Sequence, residues 1–90
     1  MKQGWIKNEF GTKHHYVDDE IHNDNGPAII FTDGSKIWYK HGKIHREDGP
    51  AIERHDGSVL WFYYDKLIGK SIDGFTQQHF NKWKRIQIFT

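Results

Sequence analysis

The 90 residues carry 13 Lys and Arg against 12 Asp and Glu, for a formal net charge of +1, and no cysteine. Disulfide staples and thiolate metal centres are therefore excluded, and there is no basic excess of the kind that draws a chain strongly to nucleic acid. No apolar run approaches the ~20 residues that cross a bilayer, and no signal-peptide core follows Met1, so a cytoplasmic location is expected.

Along the chain, Trp5-Ile6 reads as the first strand of a degenerate N-terminal unit covering residues 1–21. Within it begins GTKHHYVDDEIH (Gly11–His22), which matches the later GSKIWYKHGKIH (Gly34–His45) at Gly11/Gly34, Lys13/Lys36, Tyr16/Tyr39, Ile21/Ile44 and His22/His45. His15 stands in a tryptophan's place and Asp19 in that of Gly42, as suits an atypical end of a repeat array.

Two fuller units follow, residues 22–44 and 45–67, identical at ten positions when offset by 23. Those positions include His22/His45, Gly26/Gly49, Pro27/Pro50, Ala28/Ala51, Asp33/Asp56 and Trp38/Trp61. Each unit opens on a turn phrase, Asn25-Gly26-Pro27 or Asp48-Gly49-Pro50, where glycine can adopt positive φ and proline fixes its own. Ala28–Phe31 then reads as a strand, Thr32-Asp33-Gly34-Ser35 as a tight hairpin connection, and Ile37–Lys40 as the returning strand. His41-Gly42 makes another turn. The second unit repeats this as Ala51–Arg54, Asp56-Gly57-Ser58 and Val59–Tyr64.

No helix fits inside such a unit. One hairpin is marginal in water, but hairpins stacked edge to edge share an apolar face. Strand alternation should send Ile37, Tyr39, Leu60 and Phe62 to one face and Trp38 and Trp61 to the other. The recurring His22, Gly26, Pro27, Trp38, His45, Asp48, Gly49, Pro50 and Trp61 are assigned to structure. For His22 and His45 that means bonding the Asp-Gly loop or packing on a neighbouring ring.

After Leu67 the pattern stops: Ile68 stands where a third histidine would fall. In residues 73–90, Phe75, His79, Trp83 and Ile86 recur at helical spacing, with Phe80 on the same flank. Thr76 suits an N-cap, and Lys82, Lys84 and Arg85 come late, favourably for the helix dipole. The spacing predicts an amphipathic helix over Thr76–Ile88, packed on the sheet of residues 1–72. A strand at Ile86-Gln87-Ile88-Phe89 is the alternative.

The phrases HREDGPAI with DGSVLWFY, and HNDNGPAII with DGSKIWYK, resemble a repeat of small bacteriophage and bacterial proteins akin to the MORN class. His45, Asp48, Gly49, Pro50 and Ala51 match its His-Arg-x-Asp-Gly-Pro-Ala phrase, whereas Asn23 and Asn25 depart from it. The likeness spans Gly11 to Leu67. It implies a mainly β fold, an antiparallel sheet of tandem β-hairpins, here with a C-terminal helix. It also implies a contact scaffold without a settled catalytic role.

Function is read from the side chains that such a sheet would offer. Tyr39, Phe62, Tyr63, Tyr64 and Trp83 are the candidate protein-binding residues, and another protein is the expected partner. A nucleic-acid module is the second choice, because aromatics lie among Lys36, Lys40, Lys43 and Arg46, although acidic residues are interleaved with them. Third is an enzyme using His45 with Asp48 or Glu47 as acid–base groups. The spacing of His14, His15 and His22 near Asp18, Asp19 and Glu20 matches no familiar metal site, and no metal or other cofactor is expected.

Overall fold

In the computed structural model, which describes residues 1–88, ten short strands precede an α-helix. The strands are β1 (Gly4–Lys7), β2 (Lys13–Val17), β3 (Glu20–Ile21), β4 (Ile29–Ile30) and β5 (Lys36–Ile37). They continue with β6 (Tyr39–Lys40), β7 (Lys43–Ile44), β8 (Ile52–Glu53), β9 (Val59–Tyr63) and β10 (Lys66–Lys70). A 3-10 turn at Ser71–Asp73 leads to helix α1 (Gln77–Ile88). The main sheet is antiparallel in the order β1-β2-β4-β5-β8-β9-β10; β3 flanks β2, and β6 and β7 form a ribbon of their own.

Hydrogen bonds in this sheet recur with residue numbers shifted by 23. Ala28 N–H donates to Ile37 O and Ala51 N–H to Leu60 O, both at 2.9 Å. Between hairpins, His15 N–H donates to Ala28 O and Trp38 N–H to Ala51 O, at 2.7 and 2.8 Å. Ile29 stands opposite Ile37 as Ile52 stands opposite Leu60. Tyr16, Tyr39 and Phe62 face Ile21, Ile44 and Leu67 in the same spacing.

Two turn designs recur with the strands. In the first, Phe31 N–H donates to Ser35 O, Gly34 N–H returns to Phe31 O, and Gly34 lies at φ 92°. This is a three-residue hairpin loop closed by a left-handed residue, which glycine adopts without steric cost. Asn8–Thr12 and Arg54–Ser58 repeat those bonds, and Asp33 and Asp56 brace theirs by accepting from Ser35 and Ser58 N–H. In the second design two successive residues take positive φ: Asp18-Asp19, His41-Gly42 and Tyr64-Asp65. Paired left-handed residues are the signature of a two-residue hairpin turn whose twist matches the strands it joins. Tyr64 therefore ends β9 as a turn residue and does not extend the strand to residue 64.

The expected strands are present but shorter, and Ile37–Lys40 is interrupted at Trp38, where pairing passes from the main sheet to the β6–β7 ribbon. Neither Gly26 nor Gly49 uses the positive φ open to glycine. At Gly49 glycine is needed for space: a Cβ would sit 2.8 Å from Arg46 Cζ. Around Gly26 there is open room.

Both ends of the array are closed by substitutes. In the fuller units the first residue of the two-residue turn gives its N–H to a histidine one unit earlier: His41 to His22 Nδ1 at 2.8 Å, and Tyr64 to His45 Nδ1 at 3.0 Å. At the first turn Asp18 N–H donates to Gln3 Oε1 at 3.1 Å instead. At the other end, Ile52 lies opposite Ile37, so a further unit would set Phe75 opposite Leu60. Lys70 stands there instead, reached through an irregularity between Leu67 and Gly69. Phe75 is released to pack on Trp61, with ring centroids 5.2 Å apart.

Helix α1 begins one residue later than expected, with Thr76 outside it as the N-cap. His79 N–H approaches Thr76 Oγ1 at 3.4 Å, and Thr76 N–H donates to His79 Nδ1 at 3.0 Å, so cap and third helical residue satisfy one another. Phe80 is fully buried and Trp83 half-buried, whereas His79 and Ile86 are exposed. The apolar stripe thus touches the sheet through Phe80 and Trp83. Phe89 and Thr90 lie outside the described residues. The core consists of Ala28, Ile29, Ala51, Leu60, Trp61 and Phe80, with buried His22 and His45 beside it.

Candidate functional site

The two repeated histidines sit inside the sheet and organise the loops around them. Each ring accepts a backbone N–H at Nδ1, so in the neutral form its proton lies on Nε2. Each also packs on the turn that it holds: His22 against His41, tilted by 37° at 4.4 Å, and His45 stacked on Tyr64 at 3.9 Å. The turn held at Nδ1 belongs to the next hairpin, and His22 bonds its own loop as well, through Asp24.

At Nε2 the two copies part. His22 donates to Asp24 Oδ1 at 2.8 Å. His45 faces Glu47, whose nearest oxygen is 3.5 Å away, beyond the range of a good N–H···O bond. The longer glutamate places its carboxylate off the line that aspartate occupies, and His45 Nε2 is left buried without a hydrogen-bond partner. Burial, more than the neighbouring Lys40 and Lys84, holds the His45 pKa below its ordinary value; Glu47 acts the other way.

Between the loops at 23–26 and 45–48 lies a cleft of about 370 Å³, floored by Trp38, Tyr39 and Lys40 and reached by His45. One wall is fixed by Arg46, whose guanidinium lies 4.0 Å over the Trp38 ring. Arg46 also donates to Asp48 at 3.0 Å, and to Pro50 O and Glu53 at 3.2 Å. That pairing keeps the Asp48 carboxyl below the usual carboxylate range. In the first copy Asn23 does the equivalent work, donating to Pro27 O at 3.1 Å and accepting from Asn25 N–H.

Of the third-choice acid–base groups, Glu47 stands 3.5 Å from His45 and Asp48 does not face it. Asp48 is turned to Arg46, and His45 has no free lone pair with which to accept a proton. Among the described residues no group of three or more His, Cys, Asp or Glu side chains could hold a metal ion. No described helix is long and apolar enough to cross a membrane.

Of the candidate contact residues, three come together. Tyr63 meets Trp83 at 5.4 Å and Tyr64 at 5.1 Å, at the joint between sheet and helix. Tyr64 is exposed at 44%, while Tyr63 and Trp83 are half-buried against each other. Tyr39 lies apart in the cleft, its hydroxyl pKa raised by burial and by Asp65. Phe62 is half-buried opposite Leu67.

Large exposed apolar side chains lie at both ends of the sheet: Met1, Trp5, Ile6, Phe10 and Val17 in and before the first hairpin, and Leu67, Ile72 and Ile86 towards the other end. Trp5 rests edge-on against His15 at 5.0 Å and is otherwise 47% open; Phe10 is 76% open. Sequence reading treated this hairpin as an imperfect cap and passed over it. Its available signal was His15 in a tryptophan's place, which leaves the adjoining Trp5 with a smaller ring to cover it. Comparison with known proteins finds no family model, no curated protein and no solved structure that matches this chain.

Proposed function

We propose that this chain is a MORN-like array of β-hairpins with a period of 23 residues, acting without catalysis as a binding module for another protein. The observation that carries the reading is the open edge of β1, which ends the sheet and bears Trp5 and Ile6 beside the exposed Phe10. Free sheet edges with apolar side chains take up extended segments of a partner: backbone hydrogen bonds supply affinity and alternate side chains selectivity. The opposite edge, β10, carries Lys66 and Lys70 and gives Lys70 O to Phe75 N–H, which blunts it. On the resemblance to phage proteins, the partner is a host protein that the module modulates or inhibits. Tyr64 and its neighbours Tyr63 and Trp83 would form a second contact.

The test is affinity capture of the tagged chain from extracts of its native host, with bound protein and nucleic acid both identified. Wild type and a Trp5→Ala/Ile6→Ala variant are run in parallel. A stoichiometric, salt-tolerant protein complex that the variant loses supports the reading. Capture of nucleic acid that weakens steeply with salt would replace it with the second choice, and retention of the same partner by the variant would overturn the β1 edge as the contact.

A further inference from the structure

We propose that the cleft between residues 23–26 and 45–48 is an oxyanion site, taking a carboxylate or phosphate group on the His45 Nε2–H and the Lys40 ammonium. The inference does not depend on what docks at β1. His45 is 4% exposed, and its Nε2 is without a hydrogen-bond partner while facing this cleft. The ring cannot turn to find one, because Tyr64 N–H holds Nδ1 and the rings of Tyr63 and Tyr64 lie 4.6 and 3.9 Å away. With Nδ1 engaged as an acceptor, Nε2 carries the proton and can only donate. A metal cation is thereby excluded as the occupant, and an acceptor oxygen is called for.

The charge nearest that nitrogen is the Glu47 carboxylate, opposed by Lys40 and Lys84. Lys40 lines the cleft and forms no ion pair among the described residues, and Lys84 reaches the Glu47 carbonyl at its margin. Three carboxylates also line it, but Asp24 is bonded to His22 and Asp48 to Arg46. Glu47 remains, 55% exposed and 3.5 Å from Nε2. Its exposed side chain has room to swing aside and leave the nitrogen to a ligand oxygen. In the first copy that position is closed, since Asp24 occupies the His22 nitrogen at 2.8 Å. One methylene, glutamate in place of aspartate, thus separates a filled copy from an open one.

The experiment follows the His45 and His22 side-chain Nε2–H resonances of the ¹⁵N-labelled protein, titrated with inorganic phosphate or acetate at neutral pH and constant ionic strength. Saturable movement of His45 but not His22 is expected. Glu47→Gln, which removes the competing carboxylate charge, should bind more tightly. Glu47→Asp, which restores the short bond of the first copy, should bind roughly tenfold or more weakly, about 1.4 kcal/mol. A tighter response to phosphate assigns a phosphate-bearing ligand, and the reverse a carboxylate. If His45 fails to move in both wild type and Glu47→Gln, a bridging water is the only occupant and the proposal falls. It falls equally if Glu47→Asp binds as well as wild type.

Discussion

Trp61 and Trp5 lie towards opposite ends of one sheet, and the first is 5% exposed where the second is 47% exposed. At Trp61 the helix supplies a lid: Phe75 packs on the ring and Gln77 Oε1 accepts its indole N–H at 2.7 Å. Midway, Trp38 is roofed by the Arg46 guanidinium. Trp5 has only the edge of His15. A sheet of stacked hairpins has apolar material on both faces, so every unit needs a cover on the second one. Among the described residues α1 is the one α-helix, and it covers Trp61. Aromatics at the first unit are left for something else to cover.

The largest effect should come from removing what the helix covers. Trp61→Ala should cost about 3–5 kcal/mol in chemical unfolding, the usual range for a buried aromatic, and should detach α1, read as lost helical circular dichroism. Trp5→Ala, at the bare end, should cost well under half as much; equal losses would show that the two ends are packed alike. Gly69→Ala attacks the same lid from beneath, because a Cβ there would lie 2.2 Å from Phe75 Cγ. A loss of about 1–3 kcal/mol is expected, as for overpacking.

Acid should act on the same half of the molecule. The folded-state pKa of His45 is depressed by burial, so as pH falls below about 6.5 the unfolded chain takes up a proton first. The stability that neutral His45 represents is complete above that pH and is lost as pH falls toward its folded-state value. His45→Gln keeps an acceptor for Tyr64 N–H, as Gln3 does for Asp18, and should flatten this part of the urea-midpoint profile against pH. An unchanged slope would count against His45 as its source. The smallest effect belongs to the exposed end: Gln3→Ala removes both side-chain hydrogen bonds to Asp18, in solvent, and should cost roughly 0.5–1 kcal/mol, with faster amide exchange confined to residues 18–19.

Much of this arrangement was legible because the turns are written in residues with one clear backbone use. Asp33-Gly34 and Asp56-Gly57 declared their hairpins, and their spacing implied a common strand pattern. Tyr64-Asp65 was not legible as a turn, since nothing in a tyrosine signals positive φ; only its place 23 residues after His41-Gly42 did. Thr76 and the spacing of Phe80 and Trp83 announced the helix, but the sequence does not say which unit receives it. The bare first hairpin and the orphaned His45 nitrogen were hidden for another reason. Both arise from a small difference between near-identical copies, Trp38 against His15 and Asp24 against Glu47, and a reading built on likeness discounts differences.

The interchange of Gln3 and histidine as acceptors for the next turn also bears on how such a chain could lengthen. His22 and His45 each give the following turn an imidazole acceptor, and Gln3 gives the first turn an amide oxygen in the same place. On the proposed repeat reading, a tandem copy of residues 22–44 should add one more rung and leave the contacts of Gln3 and Lys70 unchanged.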